Sequence, residues 1–132
     1  MKTIKQHYTI KAPAERVFRA LTSVDDIKEW SGQGTSFEAR EGGSYTMWDD
    51  WLKGTVLEID PPHTLSQTWE PGDWPPQKEK SVAIFTLTEK NGATDIDFEQ
   101  TNVPDEQYKA TEEGWRDFYL GAIKAYLEQR GG

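Results

Sequence analysis

The chain has no cysteine and only two histidines. Without thiols there is no disulfide, no thiolate nucleophile and no cysteine-ligated zinc. Positive charge is also short. Lys and Arg number 15 against 23 Asp and Glu, a formal net charge of −8. A surface of that sign opposes phosphate backbones and anionic lipid, so neither nucleic acid nor a membrane is an expected partner. No apolar run approaches the ~20 residues that cross a bilayer. The opening MKTIKQHYTI holds only isolated apolar residues and lacks a signal-peptide core, so a cytoplasmic location is expected. Proline is absent from Asp105 to Arg130, which permits one long helix there.

What the chain does have is aromatic side chains, with 6 Trp, 5 Tyr and 5 Phe. These fill a core with few, large groups and argue against disorder, although the mean hydropathy is only −0.82. The 132 residues suit one domain spanning 1–132. In the proline-free stretch, Tyr108, Trp115, Phe118, Tyr119, Ala122, Ile123, Tyr126 and Leu127 recur at helical spacing. Such a stripe needs a sheet to cover it.

Strand signals precede it. Thr3 to Ile10 alternates as a first strand. Pro13, placed at the first helical position, and Glu15 open a short helix with Val17, Phe18 and Leu21 on its apolar face. Ser23 caps a second one running to Trp30, with Asp26 three residues on as a capping box. Six strand candidates follow, at 35–40, 44–48, 53–59, 65–70, 81–88 and 94–101. Glu41-Gly42-Gly43, Trp48-Asp49-Asp50-Trp51, Asp60-Pro61-Pro62-His63 and Lys90-Asn91-Gly92 separate most of them, and such short turns make antiparallel neighbours. Alternation turns Tyr45, Met47, Leu65, Trp69, Phe85, Leu87, Ile96 and Phe98 toward the helix. The strand over 53–59 is ambiguous, because Val56, Leu57 and Ile59 are all apolar.

The chain resembles the C-terminal domain of the heat-shock protein 90 ATPase activator, within the START-like (SRPBCC, helix-grip) superfamily. The residues that carry the likeness run almost end to end. They are Ala12-Pro13-Ala14-Glu15-Arg16-Val17-Phe18, Trp30, Glu41-Gly42-Gly43-Ser44-Tyr45 and Gly54-Thr55-Val56-Leu57-Glu58-Ile59-Asp60-Pro61-Pro62. Leu65 to Trp69, Trp74-Pro75, Gly92 with Thr94, and Gly114-Trp115 complete the set. The resemblance implies an α+β helix-grip fold: a seven-stranded curved antiparallel sheet around a long C-terminal helix, with two short helices between strands 1 and 2. It also implies a helix–sheet cavity, used by many relatives for apolar molecules. The eukaryotic activator carries a further N-terminal domain for much of its chaperone contact, and this chain, whose first strand starts at about residue 3, is expected to lack it.

The candidate ligand-binding set is therefore Tyr45, Met47, Trp69, Phe85 and Phe98 from the sheet and Trp115, Phe118, Tyr119 and Ala122 from the helix. Gly114 and Gly121, two turns apart, would let the helix approach the sheet or leave space for a guest. The same rings also suit a filled core. Trp48, Trp51 and Trp74 sit in or beside loops, where they either meet a protein partner such as a chaperone or cover the open ends of the sheet. For catalysis there is little. His7 and His63 show no metal or triad spacing, and Glu58 is one carboxylate that an ambiguous strand leaves free to point inward. Asp95, Asp97 and Glu99 share one sheet face, either as hard-cation ligands or as a solvated ladder. The leading expectation is a non-enzymatic binder of a small apolar or aromatic molecule, with no catalytic residue, metal or cofactor. The rivals are a single-domain co-chaperone and, third, an enzyme acting on a hydrophobic substrate in the cavity.

Overall fold

The computed structural model describes residues 1–129. The expected helix end at Arg130 lies outside the described residues. Strand β1 (Lys2–Ile10) leads into helices α1 (Ala14–Thr22) and α2 (Val24–Ser31). Six strands follow: β2 (Ser36–Phe37), β3 (Ser44–Met47), β4 (Leu52–Asp60), β5 (Thr64–Pro71), β6 (Ser81–Lys90) and β7 (Ala93–Val103). The closing helical run comprises a 3-10 turn (Asp105–Gln107), α3 (Tyr108–Gly114), a π turn (Trp115–Tyr119) and α4 (Leu120–Gln129). All neighbours in the seven-stranded sheet are antiparallel, in the order β1-β7-β6-β5-β4-β3-β2. This is the helix-grip arrangement: a curved antiparallel sheet with the long C-terminal helix lying across it.

Local chemistry explains most boundaries. Asn91 and Gly92 both take positive φ, 56° and 80°, as a two-residue hairpin turn between β6 and β7 requires. Gly32 closes α2 in the left-handed region at φ 75°. Pro13 stands at the N-cap of α1, one place before the position expected for it. Ser23 occupies the N-cap of α2, but its side chain makes no capping bond. Asp26 is not a capping-box partner either, because its Oδ1 accepts from Arg16 Nη2 at 2.9 Å and from the Tyr126 hydroxyl at 2.6 Å.

The strand over 35–40 shrinks to two residues. The Glu38 carboxylate accepts from the Ser44 N–H at 2.8 Å and the Ser44 hydroxyl at 3.0 Å, so a side chain takes over where the ladder would continue. The ambiguity of β4 has a physical cause. A bulge lies between Val56 and Glu58, which face Gln67 and Ser66 of β5. The extra residue flips the alternation. Leu52, Gly54 and Val56 point inward, whereas Leu57 is 46 % exposed and Glu58 is on the surface. Glu58 therefore does not enter the cavity.

Tyr45 faces Gly54 across the β3–β4 ladder, and a Cβ on Gly54 would collide with the Tyr45 ring and the Thr68 carbonyl. The missing side chain lets the ring lie flat on the strand, and the Tyr45 hydroxyl donates to Thr68 O at 2.5 Å. Three bonds pin the closing helix to β1 and its flank: Gln6 Nε2 to Glu112 O at 2.9 Å, Lys124 Nζ to Thr9 O at 2.7 Å, and the Lys11 N–H to Glu128 Oε2 at 3.0 Å.

Candidate functional site

The closing helix does not keep one period. In the π turn the Leu120 N–H bonds back five residues to the Trp115 carbonyl. A wider turn holds Trp115 and Tyr119 on one face and adds Leu120 to it, and all three are buried. Phe118 swings away from that face and is 67 % exposed. Gly121 makes the π turn possible, because a Cβ there would run into the Arg116 carbonyl. Gly114 is different: a Cβ there meets no atom within 4 Å.

The space beside Gly114 is a pocket of about 410 Å3, within the range of small-molecule sites. Gln107, Ala110, Thr111 and Gly114 of the helix form one wall, continued by Trp115, Phe118 and Tyr119. Opposite stand Trp69 and Pro71 of β5, Asp73 and Trp74 of the following loop, and Trp48 and Trp51 from the β3–β4 connection. The pocket thus lies between the helix and one end of the sheet, not along the helix's whole length.

The ring positions decide what is open. Trp69 and Trp115 have centroids 4.5 Å apart, Trp115 and Phe98 4.1 Å, and Phe85 and Phe98 5.2 Å. These contacts fill the middle of the fold. Tyr45, Met47, Phe85 and Phe98 consequently sit in the packed core, 0 to 2 % exposed, behind the pocket wall. Trp69, Trp115 and Tyr119 form the boundary, with one side on the core and the other on the pocket. Phe118 stands at the lip, and Ala122 is half-buried on the helix outside the pocket lining. Trp48 and Trp74 are partly buried rim residues packed against the core, and Trp51 is 42 % exposed. The loop tryptophans and the cavity, read from the sequence as two separate candidates, share one place.

The rim is conformationally unusual. Trp48, Asp49 and Asp50 are consecutive non-glycine residues at positive φ, 51°, 56° and 72°. Each costs of order 1 kcal/mol or more, and such costs persist only where surroundings impose them. Here the Gly34 N–H donates to Asp49 Oδ1 at 2.9 Å and the Asp49 N–H donates to the Gly34 carbonyl at 3.1 Å. The result places the Trp48 ring 6.0 Å from Tyr119 and 6.4 Å from Trp69.

Behind the wall lies a buried polar line. The Trp115 indole N–H donates to Gln100 Oε1 at 2.6 Å, Gln100 Nε2 to Ser81 Oγ at 2.9 Å, and Ser81 Oγ to the Thr101 carbonyl at 2.7 Å. Burial pushes the Tyr119 hydroxyl well above its ordinary pKa, with the nearby Gln67 amide opposing. Among the described residues neither the Tyr119 hydroxyl nor the Gln67 amide makes a hydrogen bond to a protein group. Both stay uncharged at neutral pH.

The remaining candidates lie elsewhere. His7 is exposed on β1, with Nδ1 3.0 Å from Asp97 and Nε2 3.7 Å from Asp95. Lys5 faces Glu99 in the same ladder. The acidic row is thus a cross-strand charge ladder on the outer sheet face. Among the described residues no cluster of His, Asp and Glu could hold a metal ion. His63 lies in the β4–β5 turn, and its N–H donates to the Asp60 carbonyl at 2.7 Å. Sequence reasoning missed Gln107, Ala110, Thr111, Pro71 and Asp73. The stripe 107, 110/111, 114, 118 has helical spacing, but its small and polar residues lack the apolar signature used to find cavity walls.

A curved sheet gripping a C-terminal helix, with an apolar pocket where the two part, defines a helix-grip protein. The family of the Activator of Hsp90 ATPase homolog 1-like protein matches residues 11–128, and the chain belongs to it. An activator of 90 kDa heat shock protein ATPase homolog from Dictyostelium discoideum is 24% identical over 123 residues, covering 93% of this chain and 32% of that protein. The chain therefore spans about a third of the length of such curated relatives. Among solved structures, an HSP90 activator from Plasmodium falciparum superposes with a TM-score of 0.90 at 20% identity, covering 97% of both chains. A Mesorhizobium loti protein gives 0.82 at 29% identity, covering 99% of both. No helix among the described residues is long and apolar enough to cross a membrane.

Proposed function

We propose that this protein binds a small apolar or aromatic molecule in the pocket between α3, the π turn and the end of β5. The carrying observation is the space beside Gly114: about 410 Å3 walled by Trp48, Trp51, Trp69, Trp74 and Trp115. Burial of an apolar guest there gains roughly 25 cal/mol per Å2 removed from water. Tyr45, Met47, Phe85 and Phe98 support the wall from behind, and Phe118 covers the mouth. The setting of this reading is cytoplasmic, and the role is non-enzymatic.

Titration with the neutral fluorescent probe N-phenyl-1-naphthylamine tests it. The wild type is expected to enhance probe emission at micromolar concentrations. In Gly114→Leu the new side chain projects into the open space, so binding falls at least tenfold while the melting temperature holds or rises, since glycine costs a helix ~1 kcal/mol. Unchanged binding in that folded variant refutes the assignment.

A second reading is contact with a heat-shock protein 90 chaperone. It is favoured by the family's named activators and by the exposure of Trp51 and Phe118 on the pocket mouth, at 42 % and 67 %. Exposed aromatics of this kind anchor interfaces. Trp51→Ala and Phe118→Ala are expected to abolish stimulation of the chaperone's ATPase with the fold intact. Stimulation unchanged in both variants, or absent in the wild type, ends that reading.

A further inference from the structure

The geometry points to an organic cation, an alkylated ammonium group carried by a small molecule, as the guest of the proposed pocket. The inference rests on the binding reading above and adds the charge of the ligand.

Three observations carry it. First, of the described residues lining the pocket, Asp73 is the one that bears a charge, and no Lys or Arg joins it. An anion would meet that carboxylate with no compensating cation, whereas an ammonium group finds a counter-charge at the rim. Second, the rings stand as a box. Trp48 is inclined at 63° to Trp51, 78° to Trp69 and 77° to Tyr119. Walls at steep angles offer several ring surfaces to a roughly spherical group, and an aromatic face attracts positive charge, tryptophan best of all. Third, Phe118 is 67 % exposed at the mouth, and among the described residues neither it nor the partly buried Trp74 is paired with another ring. The formal net charge of −8 adds a field that raises the local concentration of cations.

Neutral aromatic guests satisfy the first reading but use none of the charge. A desolvated cation over several aromatic faces gains more per contact than an uncharged group of the same shape. The matched pair choline and 3,3-dimethylbutan-1-ol isolates that difference, because the quaternary nitrogen of one is a carbon in the other. Each is titrated against the wild type, with displacement of N-phenyl-1-naphthylamine and the tryptophan indole N–H resonances as readouts. The expected result is that choline binds at least tenfold tighter than the alcohol. Asp73→Asn, at an exposed rim position, is expected to shrink that ratio severalfold, with each ligand's affinity taken relative to the variant's own probe affinity. Equal binding of the two, tighter binding of the alcohol, or no displacement by choline overturns the cation assignment and leaves the pocket standing. Failure of the probe itself to bind overturns the pocket reading instead.

Discussion

The Trp115 indole N–H and the Gln100 side-chain oxygen lie 2.6 Å apart, fully buried, where the closing helix crosses β7. This is the polar tie between the helix and the sheet at the pocket's back wall. Gln100→Leu leaves the indole donor unpaired in an apolar setting and is expected to cost ~1–3 kcal/mol. Urea denaturation of the variant checks it. A loss of only a few tenths would mean that the N–H finds another acceptor.

Gly121 permits the π turn through the absence of one atom. In Gly121→Ala the Cβ meets the Arg116 carbonyl, so the backbone either straightens toward an α-helix or carries the strain. Straightening rotates Trp115 and Tyr119 relative to each other. We expect a destabilisation of ~1–3 kcal/mol, the usual size of overpacking, together with a shift in tryptophan emission. An equally stable variant with unaltered emission would show that the helix tolerates a side chain there.

Acid stability should depend on Asp26. Its burial raises the pKa, but the hydrogen bonds from Tyr126 and Arg16 outweigh burial, and the net shift is downward. A depressed folded pKa adds stability that is present above the unfolded value of ~3.9 and is lost as pH falls through the folded one. Asp26→Asn is therefore expected to cost ~1.5–3 kcal/mol at pH 7, as for hydrogen bonds to charged groups, and progressively less below pH ~4. Urea midpoints of both proteins across that range decide it. A constant difference would remove the charge from the explanation.

Alkali should act through Tyr45 and Tyr119. Burial raises both hydroxyls above the ordinary value, Tyr45 with help from Tyr119. A raised folded pKa means stability that is intact below the unfolded value of ~10 and falls as pH climbs past it. Spectrophotometric titration should show the exposed-type tyrosines ionising first and these two only with unfolding. Ionisation of all five tyrosines in one reversible step near pH 10, with the fold kept, would contradict their burial.

The linear order of residues determined the architecture. Alternation placed Tyr45, Trp69, Phe85 and Phe98 on one sheet face, the Asn91-Gly92 pair defined a hairpin, and the proline-free aromatic stripe marked the gripping helix. All three rest on interactions between near neighbours in the chain, which periodicity encodes directly. The site was legible only in part. Trp69, Trp115, Phe118 and Tyr119 were in view as cavity residues and Trp48, Trp51 and Trp74 as loop aromatics, but nothing local says that they surround the same space. That depended on tertiary structure. The left-handed Trp48-Asp49-Asp50 turn, held by Gly34, carries Trp48 to Tyr119, and the bulge at Val56–Glu58 sends Leu57 and Glu58 outward. The π turn decides which of Trp115, Phe118 and Tyr119 faces inward, by a five-residue backbone bond that no side-chain pattern announces. Whether aromatic rings fill a cavity or line one depends on their mutual angles and distances, which are settled by packing between elements far apart in the chain.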